Sequence, residues 1–161
     1  AGVSRRMPAI TNRRTVLAVA LACMALALPA AAESARVIDG DTIKLGAVTY
    51  RLWGIDAPET KQACDDWPAG VESSKALAAL VRDHEILCEP KTTDRYGRTV
   101  AMCRADGADL GAAMVRAGMA WAFVRYSRDY VQREAEAKAA GLGIHSHACE
   151  PAWDWRARQR Q

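Results

Sequence analysis

The sequence predicts an α+β fold, and three observations lead to this prediction. Residues 37–55 contain short runs of alternating apolar residues separated by glycine turns, which is typical of a meander of short strands. From residue 69 to residue 81 the apolar spacing changes to that of a helix. Residues 86–103 then predict two further strands around a polar loop, and residues 109–140 predict two more helices.

Residues 1–32 predict a secretory signal peptide. The first part carries four arginines and no acid, the second part is apolar and rich in alanine, and Ala30-Ala31-Ala32 supplies the small residues of a cleavage site. A membrane anchor is the alternative, but Pro29 interrupts the apolar run, which barely reaches the ~20 residues that span a bilayer. Residues 12–17 also resemble a twin-arginine export signal. We therefore expect an exported protein, either periplasmic or secreted.

The charge of the chain changes when the signal peptide is set aside. Residues 1–32 hold four of the 22 Lys and Arg residues and none of the 19 Asp and Glu residues, so the mature part carries a net charge of −1. A polyanionic partner would have to be bound by locally clustered arginines, because the protein has no general positive field.

The elements follow one another in an order that narrows the fold class. The predicted strands are residues 37–38, 42–45, 48–55, 86–88 and 99–103, and the predicted helices are residues 69–81, 109–117 and 128–140. Three strands, a helix, two strands and then helices are compatible with a five-stranded OB-type β-barrel with three helices, a class that binds oligonucleotides and oligosaccharides. We expect one domain at residues 33–145 and a mostly irregular C-terminal tail at residues 146–161.

Four cysteines remain in the mature chain. An even number of cysteines in an exported domain predicts disulfides, with three possible connectivities. Cys88 and Cys103 flank the predicted hairpin and could face each other across two strands, which leaves Cys64 to pair with Cys149. We expect this pairing, and reduced thiols are the alternative.

Residues 39–59 contain the candidate site carboxylates Asp41, Asp56 and Glu59 and one arginine, Arg51. Asp41 begins the second strand and Asp56 ends the third, so an antiparallel hairpin through Gly46 brings these two carboxylates together. Neighbouring carboxylates repel each other unless a cation lies between them, and an irregular cage of oxygen atoms suits Ca²⁺ better than Mg²⁺. For Asp39-Gly40-Asp41 taken alone, a simple polar turn is the alternative.

Arg51 occupies an interior strand position, where an unpaired guanidinium would be costly. A salt bridge to a neighbouring acid, without any functional role, is the alternative explanation for this arginine. Strict alternation would place Arg51 and Asp56 on opposite faces of the strand, and we expect a bulge or bend at Gly54 to bring them together. Glu59 follows a proline in a turn and Arg98 closes a polar loop, and each taken alone resembles an ordinary surface residue.

The segments IDGDT (residues 38–42), YRLWGIDAPET (residues 50–60) and DRYGR (residues 94–98), in this order around a helix, resemble the staphylococcal nuclease (thermonuclease) family. The resemblance covers residues 34–145, and it implies an OB barrel with three helices. It also implies calcium-dependent hydrolysis of phosphodiester bonds in DNA and RNA that leaves 3′-phosphate ends. No stable protein partner is implied, and we expect a monomer.

The motif positions imply a role for each residue of the cluster. The implied calcium ligands are the side chains of Asp41 and Asp56 and the backbone carbonyl of Ala57. Glu59 would orient or deprotonate the attacking water, while Arg51 and Arg98 would bind the phosphate, since forked guanidinium groups suit paired phosphate oxygens. Three further residues are expected to contact the substrate: Arg95, Tyr96 and Tyr126.

The chain departs from the family pattern at a few positions. Ala57 stands in place of a threonine, and Arg95 in place of a lysine. Val124, beside Phe123, stands where the family has one of two tyrosines that line the nucleotide pocket, so we expect base stacking to be shifted or weakened here. The four mature cysteines and the tail are additions to the pattern.

Alternative functions remain for the whole chain and for its tail. A catalytically silent binding module of the same fold would have lost some of the carboxylates or arginines, and an oligosaccharide-binding barrel would expose aromatic residues in their place. His145 and His147 beside Cys149 suggest a soft-metal site, but Cys149 is expected in a disulfide. Trp153 and Trp155, with the arginines around them, predict either packing of the tryptophans on the domain with frayed arginines or an auxiliary nucleic-acid contact.

Overall fold

Eight short strands and four α-helices are present in the part of the chain that the computed structural model describes, which is residue 2 and residues 34–161. The predicted signal peptide at residues 1–32 lies outside the described residues except for residue 2. The strands are β1 (Arg36–Asp39), β2 (Thr42–Leu45), β3 (Val48–Leu52), β4 (Ile55–Asp56), β5 (Ile86–Thr93), β6 (Thr99–Ala105), β7 (Ala108–Asp109) and β8 (Trp121–Ala122). The α-helices are α1 (Ala69–Val81), α2 (Leu110–Arg116), α3 (Val131–Ala139) and α4 (Ala152–Gln159), and Gly143–His145 form a 3₁₀ turn.

Five strands form the main sheet in the order β1-β2-β3-β6-β5. All neighbours are antiparallel except β3 and β6, which run parallel with Tyr50 opposite Thr99 and Leu52 opposite Ala101. The parallel pair requires a long crossover, which residues 53–98 supply with α1 and β5. Strand β7 extends the sheet beside β6, and β4 pairs with β8 in a separate two-stranded sheet.

The mixed α+β fold is confirmed and is consistent with an OB-like fold, but the strands of the predicted barrel do not close, and the described residues form four α-helices where three were predicted. Within residues 34–161, β1 and β5 each have one strand neighbour, so the sheet stays open. The outer part of β5 is exposed and contains Pro90, which has no backbone N–H to donate to a closing strand. The fourth helix, α4, lies in the tail that was predicted to be mostly irregular. Its first helical residue follows Pro151, and it buries only Ala152 fully, so its apolar signal is weak.

The third strand is shorter than the predicted residues 48–55. It ends at Leu52, and a turn at Trp53-Gly54 leads into β4. Gly54 has a φ of +70°, a left-handed conformation that glycine adopts without steric strain. The predicted bend at Gly54 is therefore confirmed, and it gives residues 55–59 a new direction toward β8.

The main core lies between the inner face of the sheet and helices α1 and α2. Its largest fully buried side chains include Ile43, Leu52, Leu77 and Met114. Asp109 caps the N-terminus of α2, and its carboxylate accepts a hydrogen bond from the Ala112 backbone N–H at 3.0 Å. This core fixes the sheet against the helices, and the ends of β3, β4 and β5 line a cleft.

A second, smaller core attaches the C-terminal segment to the domain. Trp121, Ile144 and Ala152 are buried there, and Trp67 and Trp153 pack against them. Both predicted disulfides are present, Cys64–Cys149 and Cys88–Cys103. Among the described residues, no helix has the length and apolar character that crossing a bilayer requires.

Candidate active site

Asp41 and Asp56 lie on either side of the Arg51 guanidinium. Arg51 Nη1 is 2.6 Å from Asp41 Oδ1, and Arg51 Nη2 is 2.8 Å from Asp56 Oδ1. The side chain of Arg51 is 13% exposed, that of Asp41 is 6% exposed and that of Asp56 is 0% exposed. These charges are therefore largely removed from water. The structure thus brings together the two carboxylates that the hairpin was expected to join, and it places Arg51 between them.

The turn between β1 and β2 shapes the Asp41 side of this cluster. Asp41 Oδ2 accepts a hydrogen bond from the Ala57 backbone N–H at 3.0 Å, and Asp41 Oδ1 accepts one from Thr42 Oγ1 at 3.0 Å. Gly40 lies against α1, where an added Cβ would stand 2.0 Å from Ser73 Oγ. The turn therefore needs glycine at this position, because a side chain would push Asp41 away from Ala57.

Burial and mutual repulsion dominate the electrostatics of the acids. Burial, together with the neighbouring charge of Asp41, raises the pKa of Asp39 to about 6. Burial also raises the pKa of Asp56, although hydrogen bonds from Arg156 and the nearby arginine charges oppose this. For Arg51, burial alone would lower the pKa, but the charges of Asp41 and Asp56 outweigh burial and raise it. Burial is therefore the first cause that raises the pKa of Asp39 and of Asp56, and the charge of Asp41 adds to it in both.

Glu59 joins the cluster through an arginine from the C-terminal helix. Arg156 Nη1 is 2.5 Å from Glu59 Oε1, and Arg156 Nη2 is 2.7 Å from Asp56 Oδ2. The hydrogen bonds to both carboxylates and their charges raise the pKa of Arg156, whereas burial alone would lower it. Glu59 is half-buried and faces the same cleft as Asp41 and Arg51. The three predicted acids thus lie in one site.

Arg98 is held at the edge of the site by its own loop. Its Nε is 2.7 Å from Asp94 Oδ2, and Asp94 Oδ1 accepts hydrogen bonds from the backbone N–H groups of Tyr96 and Arg98. Burial alone would raise the pKa of Asp94, but the hydrogen bonds from Arg98 and from these backbone groups lower it. Arg98 Nη1 lies 3.5 Å from Thr42 Oγ1, which connects the loop to the acidic cluster. Hydrogen bonds within the loop therefore hold the Arg98 guanidinium in place.

A cleft of about 970 Å³ contains the cluster and extends toward a group of aromatic side chains. Phe123 lies 5.0 Å from Tyr126 and 5.5 Å from Trp153 between ring centroids. Tyr126 is 58% exposed, while Val124, also exposed, is absent from the cleft lining. On the opposite side Arg95 and Tyr96 line the cleft, and the Arg95 guanidinium lies over the Tyr96 ring at 4.8 Å. The three expected substrate contacts, Arg95, Tyr96 and Tyr126, all face this space.

The donor groups suit a hard divalent cation by their chemistry. Asp41 and Asp56 offer carboxylate oxygens on side chains that are only 6% and 0% exposed, and Ala57 offers a backbone carbonyl. Oxygen donors of this kind, completed by water, are those that Ca²⁺ accepts in irregular cages. Among residues 34–161, no three His, Cys, Asp or Glu side chains already converge in a metal-binding arrangement. The residues fit a cation held by two side chains, a carbonyl and water.

Sequence reasoning missed three residues that organise the site. Arg156 lies 100 residues after Asp56 and was expected among frayed arginines or in an auxiliary nucleic-acid contact. Gln62 is 2% exposed and its amide accepts a hydrogen bond from the Glu59 backbone N–H at 3.1 Å. Asp94 holds Arg98. Asp94 could have been found from its spacing of four residues before Arg98 in a glycine turn, but nothing local marks Arg156.

Comparisons with known proteins agree with the motifs. A sequence model of the family described as "Staphylococcal nuclease homologue" matches residues 49–147. Protein ParB of Escherichia coli is 39% identical over 162 residues, which cover 86% of this chain and 88% of that protein. An uncharacterized endonuclease of Escherichia coli O157:H7 is 38% identical over 133 residues, covering 77% and 83%. Micrococcal nuclease of Shigella flexneri is 35% identical over 143 residues, covering 77% and 79%.

Proposed function

The chain belongs to the staphylococcal nuclease family, and on that premise we propose that it is an exported, calcium-dependent endonuclease that hydrolyses phosphodiester bonds in DNA and RNA and leaves 3′-phosphate ends. One observation carries the proposal: a buried Asp41–Arg51–Asp56 cluster opens onto a cleft that also contains Glu59. Relatives that are named endonuclease and micrococcal nuclease support the reaction class. Both disulfides suit an exported protein, since disulfides persist outside the reducing cytosol.

Calcium would be held by Asp41, Asp56 and the backbone carbonyl of Ala57. When bound, it would neutralise part of the charge on the phosphate and on the reacting oxygens. The hydrogen bond from the Ala57 N–H to Asp41 orients that carboxylate. The chain therefore supplies oxygen ligands in the cleft where a phosphate ester would bind.

Two arginines from different parts of the sheet would bind the phosphate. Arg51 lies at the bottom of the cleft on β3, and Arg98 lies at its edge at the end of the loop before β6. Their guanidinium groups can donate to oxygens of the phosphate, whose negative charge increases as the transition state forms. Arg51 also donates to Asp41 and Asp56, and these ion pairs fix its position in the cleft.

Glu59 would act on the attacking water, as a base or as an orienting group. In the proposed step, the oxygen of this water forms a bond to phosphorus while one of its protons passes to Glu59 or to solvent. The bond from phosphorus to the 5′-oxygen breaks, and the 5′-oxygen takes up a proton and leaves as a hydroxyl group. The other fragment keeps the phosphate on its 3′-oxygen. Glu59 contributes by position and basicity.

The base of the scissile nucleotide would stack in the aromatic part of the cleft. Tyr126 is exposed there beside Phe123, and Arg95 and Tyr96 face the same space from the other side. Stacking on aromatic rings binds unpaired bases with little sequence preference. We therefore expect single strands of both DNA and RNA to be substrates.

The test is digestion of single-stranded DNA by the purified protein in Ca²⁺ and then in excess chelator. Asp41→Asn keeps the size of the side chain but removes its charge, and Asp66→Asn, at an exposed position outside the cleft, is the matched control. We expect calcium-dependent cleavage that is lost in Asp41→Asn and retained in Asp66→Asn, with 3′-phosphate ends on the products. Nucleic-acid binding without cleavage in any divalent metal would show instead a catalytically silent binding module.

A further inference from the structure

Arg156 lies in the acidic cluster although it comes from the last helix of the chain. Its guanidinium makes three contacts, to Asp56 Oδ2 at 2.7 Å, to Asp56 Oδ1 at 3.2 Å and to Glu59 Oε1 at 2.5 Å. The side chain is 31% exposed, and the Asp56 side chain that it contacts is fully buried. The family match ends at residue 147, so α4 and Arg156 lie outside it.

The contact geometry of Arg156 suits the task of holding two acids in place. A planar guanidinium can bind both oxygens of one carboxylate and still donate toward a second acid, which the ammonium group of lysine does less well. Without this bridge, Asp56 and Glu59 would repel each other, and the long Glu59 side chain would be free to leave the cleft. Arg156 therefore sets the position of the acid that is proposed to act on water.

The C-terminal segment that carries Arg156 is attached to the loop that carries Glu59. Cys149 is bonded to Cys64, and the Trp67 ring stacks on His147 with centroids 4.5 Å apart and planes inclined by 8°. Buried Gln62 links the two parts directly. Its Nε2 donates to the Glu150 carbonyl at 2.8 Å, and its Oε1 accepts from the Glu59 N–H at 3.1 Å.

We propose that Arg156 is a positioning residue of the active site, which holds the Glu59 carboxylate beside Asp56. The segment 147–160, anchored by the Cys64–Cys149 disulfide, is the part of the fold that places Arg156 in the cleft. The inference rests on the proposed nuclease function, because Glu59 has a task only if water attacks a phosphate there. The inference adds a role for helix α4, which lies outside the family match and whose segment is joined to the Glu59 loop at several points.

The test compares Arg156→Gln and Arg156→Lys with Arg158→Gln. Arg158 is an exposed residue of the same helix that pairs with Glu150, so its replacement removes the same charge without touching the cleft. Turnover and KM are measured with a short single-stranded DNA that carries a fluorophore and a quencher. Amide hydrogen exchange in residues 59–67 is measured separately, without nucleic acid, since hydrogen bonds protect the Gln62, Cys64 and Trp67 amides there.

We expect Arg156→Gln to lower kcat about 10-fold with KM within about twofold, because the loss removes charge-assisted hydrogen bonds from Glu59 and no substrate contact. Exchange in residues 59–67 should become about 10-fold faster, while exchange in β6 stays unchanged and shows that the domain remains folded. Arg156→Lys should restore only part of kcat, since lysine cannot bridge two carboxylates as a fork. Arg158→Gln should match the wild type in both measurements.

Several results would overturn the positioning role. Unchanged exchange in residues 59–67 of Arg156→Gln would show that Arg156 does not hold the loop. A rise in KM with kcat unchanged would make Arg156 a substrate-binding residue. Wild-type kcat in Arg156→Lys would show that only the positive charge of Arg156 matters, and not its forked shape. If the wild type does not hydrolyse DNA, the proposed function fails, while the exchange comparison still decides whether Arg156 orders the Glu59 loop.

Discussion

The two disulfides should contribute unequally to stability because they close loops of very different length. Cys64 and Cys149 are 85 residues apart in sequence, whereas Cys88 and Cys103 are 15 apart. In the chain-entropy model the longer loop contributes about 4.6 kcal/mol and the shorter about 3 kcal/mol to the free energy of unfolding, a difference of about 1.5 kcal/mol. Each disulfide is replaced by two serines.

The two double variants are well matched, because each pair includes a cysteine that is nearly fully buried, Cys64 at 4% and Cys103 at 1% exposure. Denaturant unfolding followed by tryptophan fluorescence gives the free energy of unfolding of the wild type and of both variants. A thiol count on the unfolded proteins verifies that the remaining disulfide is intact. If the Cys88/Cys103 variant lost as much stability as the Cys64/Cys149 variant, or more, the loop-length reasoning would be refuted.

Three further outcomes are expected. Glu59→Gln should raise the barrier to hydrolysis by about 3 kcal/mol, or about 150-fold in kcat, with substrate affinity measured by fluorescence anisotropy nearly unchanged. Burial and the adjacent Asp109 carboxylate raise the pKa of Tyr130, so as the pH rises the unfolded chain loses the phenolic proton before the folded protein does. The free energy of unfolding should therefore fall above about pH 10, by up to about 1.4 kcal/mol per pH unit. Tyr130→Phe should show a shallower fall in alkaline urea titrations, and an equal slope in both proteins would contradict this account. Gly70→Ala would place a Cβ 1.9 Å from the Glu59 carbonyl oxygen. We therefore expect the free energy of unfolding, measured in urea, to fall by about 2 kcal/mol and turnover to fall as well. Unchanged stability and turnover would show that the helix can shift to make room.

Much of the candidate site could be predicted because its parts lie close together in sequence. Asp41, Arg51 and Asp56 belong to one meander, in which short turns determine which residues become neighbours. The glycine at position 54 indicated where the strand would bend, and the structure has a left-handed residue there. The disulfide pairing followed in the same way from a hairpin that sets Cys88 opposite Cys103. The functional roles assigned to these residues remain predictions.

The parts that could not be predicted depend on long-range packing. The position of Arg156 depends on how α4 docks against the loop at residues 59–67, and this docking uses contacts between residues that are about 85 to 100 positions apart. The open sheet is equally a tertiary result, since strand patterns do not reveal whether the two edge strands meet. Local periodicity reports which face of an element is apolar, and it does not report which distant element covers that face.

The parallel pairing of β3 with β6 has a consequence for how the protein acquires activity as it folds. The β1–β2–β3 meander and the β5–β6 hairpin each consist of neighbouring segments, whereas the seam between them joins Arg51 to Val100 across nearly fifty residues. Contacts of such sequence separation are slow to form, because the loop between them must close first. Arg51 and Arg98 stand on opposite sides of this seam. If the two arginines bind phosphate as proposed, a newly made chain has no such pair until the seam closes, so it becomes active only after its sheet is assembled.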